Sequence, residues 1–121
     1  MSDSSDDAKR LPVRFYRSEK GVEPVRDWLK SLDTLDRTKI GQAVKMVEYG
    51  WPVGMPTCRP IGNGLYEVRA TLPSNREARI FFCIHNNYMV LLHGMIKKTQ
   101  KTPQQDLAIA RHRQSSVRQN D

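Results

Sequence analysis

Four positively charged side chains lie at the ends of predicted strands. Arg69 ends one strand, Arg79 begins the next, and Lys97 and Lys98 end the strand after that. In an antiparallel meander these ends lie at one edge of the sheet, so the four cations are expected to converge. Like charges held together repel unless an anion joins them, and arginine suits two-point contacts to phosphate. The spacing therefore fits phosphate binding, and it fits a solvated basic rim with ordinary salt bridges equally well.

The positive charge is concentrated in the second half of the chain. Residues 1–56 contain ten Lys or Arg and nine Asp or Glu, whereas residues 57–121 contain ten and four. The second half thus carries +6 of the formal +7, and HGMIKKTQKTP (93–103) alone places three lysines within five residues. A basic field of this kind favours a polyanionic partner over a merely soluble surface.

Other reactive groups give weaker signals. The three histidines are scattered, and no Walker loop, GxGxxG, HExxH or zinc-ligand spacing is present, so we expect no metal and no cofactor. Cys83 lies in an apolar strand, where a free thiol acts as a small hydrophobe. Cys58 and Cys83 lack CxxC spacing, which favours a reducing cytosol and a cytoplasmic location.

Periodicity predicts the elements that position the cations. Apolar residues at i, i+3, i+4 and i+7 predict two N-terminal helices. The sets are Val25, Trp28, Leu29 and Leu32, then Ile40, Ala43, Val44 and Val47. Period-two patterns predict a meander of strands over 65–72, 78–84 and 88–96, after a short strand over 13–17. The Pro- and Gly-rich segment 51–64 is predicted as a loop.

A last helix is predicted from Thr102 as N-cap, Pro103 at N1 and Gln105 at N3. The expected fold class is α+β: a small antiparallel β-sheet with an N-terminal αα-hairpin and a C-terminal helix, with the helices on one face and the other face free. We expect a disordered tail over 1–12, a single domain over 13–113 and a flexible tail over 114–121. No apolar run is long enough for a membrane span.

Three segments, GLYEVR (64–69), ARIFFCI (78–84) and VLLHGMIKKTQKTPQQDLAIARHR (90–113), resemble the RelE/ParE superfamily of bacterial toxins. The resemblance is greatest to the HigB-type branch, including its phage-derived members. This chain has Met95 where that branch more often has Phe, and Ala78 where Tyr is common. The resemblance implies a RelE-like fold and a type II toxin that acts as a metal-independent, ribosome-dependent mRNA endoribonuclease. It also implies mRNA and ribosome as partners, with a helix-turn-helix, HigA-like antitoxin.

The same resemblance implies roles for single residues. Arg79 would stabilise the phosphate in the transition state, and Arg69 would orient it. Lys98 or Lys97 would grip the backbone or assist the leaving group. The residues expected to contact RNA are Lys97, Lys101, Arg76 and His93.

The general base stays open at this stage. Glu67 shares a strand face with Arg69, which makes it a candidate base or, alternatively, a salt-bridge partner of Arg69 or Arg79. His93 is more readily a structural histidine than a base. Two other functions also fit: a ParE-like inhibitor of DNA gyrase, and a basic RNA- or ribosome-binding module that does not cleave.

Overall fold

Three α-helices and a five-stranded sheet are present in the residues that the computed structural model describes, 9–97 and 103–119. In chain order the elements are β1 (Val13–Phe15), α1 (Pro24–Ser31), α2 (Thr34–Gly50), β2 (Cys58–Gly62), β3 (Leu65–Leu72), β4 (Arg76–His85), β5 (Tyr88–Lys97) and α3 (Gln104–Gln119). The predicted α+β class, with an N-terminal helix pair and a C-terminal helix, is confirmed. No helix within these residues is long and apolar enough to cross a membrane.

The helix pair begins and ends at the residues whose chemistry favours it. Pro24 occupies the first turn of α1, where its missing N–H costs nothing. The side chain of Asp33 caps α2 by accepting a hydrogen bond from the backbone N–H of Asp36 at 2.9 Å. Val25 of α1 and Ile40 of α2 are each 1% exposed, so both helices bury the predicted apolar face.

The strand order is β1-β5-β4-β3-β2. The predicted meander of β3, β4 and β5 is present, with antiparallel pairing throughout. β1 pairs with β5 in parallel, so the sheet is not purely antiparallel. The prediction of a loop over 51–64 is wrong in part, because Cys58–Gly62 forms β2 and pairs with β3. Pro60 is tolerated because β2 is the edge strand, where a missing N–H leaves no ladder bond unmade.

Helices cover both faces of the sheet, so the prediction that one face stays free is wrong. Ile80 and Phe82 pack in the cluster that α1 and α2 cover, whereas Phe81 and Cys83 pack in the cluster that includes Ala110 of α3. Successive strand residues point to opposite faces, and a continuous apolar run such as this one marks a strand buried on both.

Helix α3 continues beyond residue 113, the predicted end of the domain. Residues as far as Gln119 are helical, and Gln114 is only 3% exposed. The predicted flexible tail is therefore helix over most of its length. Gln114 and Arg118 each donate a hydrogen bond to the carbonyl of Asn63 at 2.9 Å, and Arg111 donates to the carbonyl of Gly62 at 2.8 Å. These contacts tie α3 to the turn between β2 and β3. The predicted N-cap Thr102 lies outside the described residues.

Candidate functional site

The sheet register places charged residues in adjacent rows on the face that α3 also covers. Arg69 of β3 lies directly opposite Arg79 of β4. In one flanking row Arg59 of β2 lies opposite Glu67 of β3. In the other flanking row, Glu77 of β4 lies between its neighbours on β3 and β5. We refer to these five residues as the arginine cluster.

Glu67 is the common acceptor of the arginine cluster. Its side chain is fully buried, its Oε2 lies 3.1 Å from both Arg69 Nε and Arg59 Nη2, and its Oε1 lies 3.5 Å from Arg79 Nη1. A buried carboxylate is stable only when it is paired and hydrogen-bonded, and here three guanidinium groups supply both. Glu67 therefore makes the ion pairs that the salt-bridge alternative predicted.

Glu77 contacts two of the same arginines from a more exposed position. Its Oε2 accepts a hydrogen bond from Arg79 Nε at 3.0 Å and lies 4.0 Å from Arg69 Nε, with 35% of the side chain exposed. Two arginines directly opposite each other on neighbouring strands repel. Glu67 and Glu77 offset this repulsion from two sides.

Access to solvent differs among the arginines, since the side chain of Arg79 is 5% exposed, that of Arg69 30% and that of Arg59 38%. Three arginines face two glutamates, so the arginine cluster carries one excess positive charge. Lys97 of β5 lies opposite Glu77 and adds a second. The arrangement can hold an oxyanion by charge and by directed N–H groups.

Arg59 is the one member of the arginine cluster that lies in the segment predicted as a loop, so the sequence did not identify it as a site residue. One sequence signal for it was available, because Asn63-Gly64 is a strong hairpin signal and both residues have positive φ. A hairpin around that turn places Arg59 opposite Glu67. Its Nε is buried and has no hydrogen-bond partner in the described part of the chain.

Arg76 does not join the arginine cluster. It pairs with Leu72, which faces α1 and α2, and it donates hydrogen bonds to both carboxylate oxygens of Asp36 at 2.9 and 2.8 Å. The Asp36 carboxylate raises the pKa of Arg76, mainly through these hydrogen bonds. The predicted RNA contact of Arg76 therefore has no geometric support, and the residue ties β4 to α2.

His93 lies on the same sheet face as the arginine cluster, opposite Phe81. Its Nε2 lies 2.6 Å from Asp106 Oδ1 in the first turn of α3, and its ring stacks on Phe81 with centroids 6.2 Å apart. The carboxylate fixes the orientation of the imidazole. The two remaining predicted site residues, Lys98 and Lys101, lie outside the described residues.

Comparison with protein-family models decides the family. The model described as phage derived protein Gp49-like (DUF891) matches residues 27–115, which include the whole arginine cluster. The chain belongs to this Gp49-like family. It is a family of RelE/HigB-like toxin-type proteins, and such membership implies an antitoxin partner. No curated protein matches the chain.

Neither thiol of this Gp49-like protein is placed for nucleophilic chemistry. Cys58 and Cys83 are free and 2% and 3% exposed. Burial, with a smaller contribution from the Glu67 carboxylate, raises the pKa of Cys58 to about 11, and burial also raises the pKa of Cys83. Both therefore stay protonated at neutral pH and are not available as thiolate nucleophiles.

Proposed function

We propose that this Gp49-like protein is the HigB-type toxin of a type II toxin-antitoxin system and cleaves mRNA at the ribosome as a metal-independent endoribonuclease. The observation that supports this most directly is the pair Arg69 and Arg79, opposite each other on β3 and β4 and held by the buried Glu67. Fixed guanidinium groups stabilise charge that develops on a phosphate without having to reorganise.

The proposed reaction is attack of an RNA 2′-hydroxyl on the neighbouring phosphate. The O2′–P bond forms, the bond between phosphorus and O5′ breaks, and the products carry a 2′,3′-cyclic phosphate and a 5′-hydroxyl. Arg79 stabilises the added charge on the phosphate and Arg69 orients it. Lys97, together with Lys98, binds the backbone or supports the leaving oxygen.

Proton transfer requires a base and an acid within reach of the phosphate. Glu67 is a poor base because it is fully buried and its oxygens already face three guanidinium groups. We assign it instead to holding the arginines in place. His93 is the better candidate for moving a proton, since it lies two residues along β5 from Met95, the cross-strand partner of Arg79.

The test is inducible expression in a bacterium, followed by growth measurement and primer extension on a reporter mRNA. Wild type is compared with Arg79→Ala and with Arg37→Ala, an exposed arginine of α2 outside the arginine cluster. We expect growth arrest and discrete cuts for wild type and Arg37→Ala, and neither for Arg79→Ala. Circular dichroism of purified Arg79→Ala establishes that it is folded.

Other outcomes contradict the proposal in distinct ways. Arrest without cuts would favour gyrase inhibition, with DNA-damage signals as its mark, or a block of translation without cleavage. Absence of arrest, with retained RNA binding, would leave a basic binding module. Discrete cuts that persist in a folded Arg79→Ala variant would remove Arg79 from the site.

A further inference from the structure

We propose that the carboxylate of Glu77 occupies, in the free protein, the position that a substrate phosphate takes when it binds. The subsite lies between Nε of Arg79 and Nε of Arg69. That the anion belongs to an RNA phosphodiester rests on the proposed function, whereas the existence of an oxyanion subsite rests on the geometry of the arginine cluster alone.

The first argument is the placement of one oxygen. Glu77 Oε2 lies 3.0 Å from Arg79 Nε and 4.0 Å from Arg69 Nε, so a single anionic oxygen faces two guanidinium groups on neighbouring strands. Carboxylate and phosphate oxygens accept the same charge-assisted hydrogen bonds from arginine. A phosphodiester that replaces this carboxylate also brings one negative charge, so the two arginines keep their charge balance.

The second argument is the contrast between the two glutamates. Glu67 is fully buried and contacts three arginines, whereas Glu77 has 35% of its side chain in solvent and contacts two. An ion pair that is partly exposed contributes little and is exchanged at little cost. Glu67 is therefore a fixed member of the arginine cluster, and Glu77 is an exchangeable one.

The third argument concerns access to Arg79. Its side chain is 5% exposed, and its Nε–H points at Glu77. A substrate phosphate can reach that N–H only after the carboxylate has moved away. Lys97 lies directly opposite Glu77 on β5 and is a cation to which the displaced carboxylate can turn.

The experiment is a titration with inorganic phosphate, followed by NMR of the arginine Nε–H resonances. Wild type is compared with Glu77→Gln, Glu67→Gln and Glu23→Gln. Glu23 is the matched control, because it lies 3.4 Å from Arg26 at the start of α1 and its substitution raises the net charge by the same amount. Phosphate binding does not depend on cleavage, so the subsite is tested apart from the proposed function.

We expect the Arg79 and Arg69 resonances to shift on phosphate addition. Affinity should rise about threefold in Glu77→Gln, where a partly exposed competitor is removed, and stay at the wild-type level in Glu23→Gln. Glu67→Gln should bind more weakly, because the arginines lose their common acceptor. Replacement of glutamate by glutamine is thus expected to raise phosphate affinity at position 77 and to lower it at position 67.

Glu77→Gln that binds phosphate no more tightly than Glu23→Gln would overturn the subsite, even if the protein cleaves mRNA. Loss of cleavage in Glu77→Gln at unchanged phosphate affinity would overturn it as well and would assign Glu77 to proton transfer. Tighter phosphate binding in a protein that never cuts RNA would support the subsite and reject the proposed function. The decision rests on Glu77 and Glu23, which are both partly exposed, so it stands even if Glu67→Gln does not fold.

Discussion

The guanidinium group of Arg59 is only partly satisfied at rest. Its Nη2 lies 3.1 Å from Glu67, whereas its buried Nε–H has no hydrogen-bond partner in the described residues. A buried donor without a partner costs about 1–3 kcal/mol. Because 38% of the Arg59 side chain is still exposed, we expect this group to reorient toward an anionic ligand that can use both nitrogens.

The first prediction follows from that group. Arg59→Ala should weaken binding of a short RNA with a 2′-deoxy cleavage position by about tenfold, the value of one charge-assisted hydrogen bond. Fluorescence anisotropy of the labelled oligonucleotide measures it. Arg37→Ala, which removes one exposed arginine from α2, is the control. Equal affinities of the two variants would show that Arg59 does not contact the RNA.

The second prediction concerns Cys58. Its pKa is raised from 9.0 to about 11, first by burial and then by Glu67, so the folded state holds this proton more tightly than the unfolded state. The resulting stabilisation is present below about pH 9 and is lost as the pH rises toward 11. Tm measured across this range should fall less steeply in Cys58→Ala. A thiol reagent at pH 8 should label Cys58 only after unfolding, and rapid labelling of the folded protein would contradict the assignment.

At the scale of the elements, α1 packs so closely against β5 that Gly94 has no space for a side chain. A Cβ built on Gly94 would lie 2.3 Å from Trp28 Cζ3, so the indole packs directly on the strand backbone. Gly94 belongs to the HGMIKK segment that carried the sequence resemblance. Its glycine is therefore explained by the packing of α1, independently of any role in catalysis.

The third prediction uses two glycines with opposite surroundings. Gly94→Ala should destabilise the protein by about 1–3 kcal/mol, the usual cost of overpacking. Gly41→Ala, in an exposed part of α2 with nothing within 4 Å of the added Cβ, should stabilise it by about 0.5–1 kcal/mol. Urea unfolding of both variants measures the difference. A Gly94→Ala variant as stable as wild type would contradict the close contact with Trp28.

Several elements were predictable because their periodicity depends on local sequence. The three strands of the meander and the two N-terminal helices follow from patterns of period 2.0 and 3.6. The parallel pairing of β1 with β5 joins residues far apart in the chain, and no local pattern encodes it. Strand β2 was not predicted, because the Pro and Gly residues of segment 51–64 are typical of a loop.

The candidate site was predictable in part for the same reason. Register within the meander follows from alternation, so the sequence alone places Arg69 and Arg79 together at the end of the meander where β3 connects to β4. The orientation of the Arg76 side chain could not be predicted in this way, because its partner Asp36 lies on a helix far away in sequence. The covering of the second face by α3 was likewise a matter of tertiary packing.

For the whole molecule, the formal charge of +7 makes binding to any polyanion dependent on salt. Within it, the arginine cluster with Lys97 is a local excess of positive charge on one sheet face. A ligand held by phosphate contacts there releases counterions in proportion to the number of contacts. The slope of log affinity against log salt therefore measures the number of phosphate contacts and distinguishes them from the effect of the net charge alone.

The fourth prediction uses this dependence. Lys97→Ala combined with Lys98→Ala should weaken RNA binding more at low salt than at high salt. The slope of log affinity against log salt should fall by about 1.4, at about 0.7 for each single-strand phosphate contact. Arg26→Ala with Arg37→Ala is a control that removes the same charge from the two N-terminal helices. A slope equal to that of the control would exclude both lysines from the RNA contact.

The order of the strands and of α3 along the chain also determines when the protein can fold during its own synthesis. Val13–Phe15 emerges early, yet its partner on β5 is made some seventy-five residues later. The apolar face with Leu65 and Phe81 stays uncovered until α3 has been translated, and α3 also holds the β2–β3 turn that presents Arg59. Long-range pairing of this kind closes late. If the proposed function holds, each chain gains its activity only after α3 has been synthesised and has packed on the sheet.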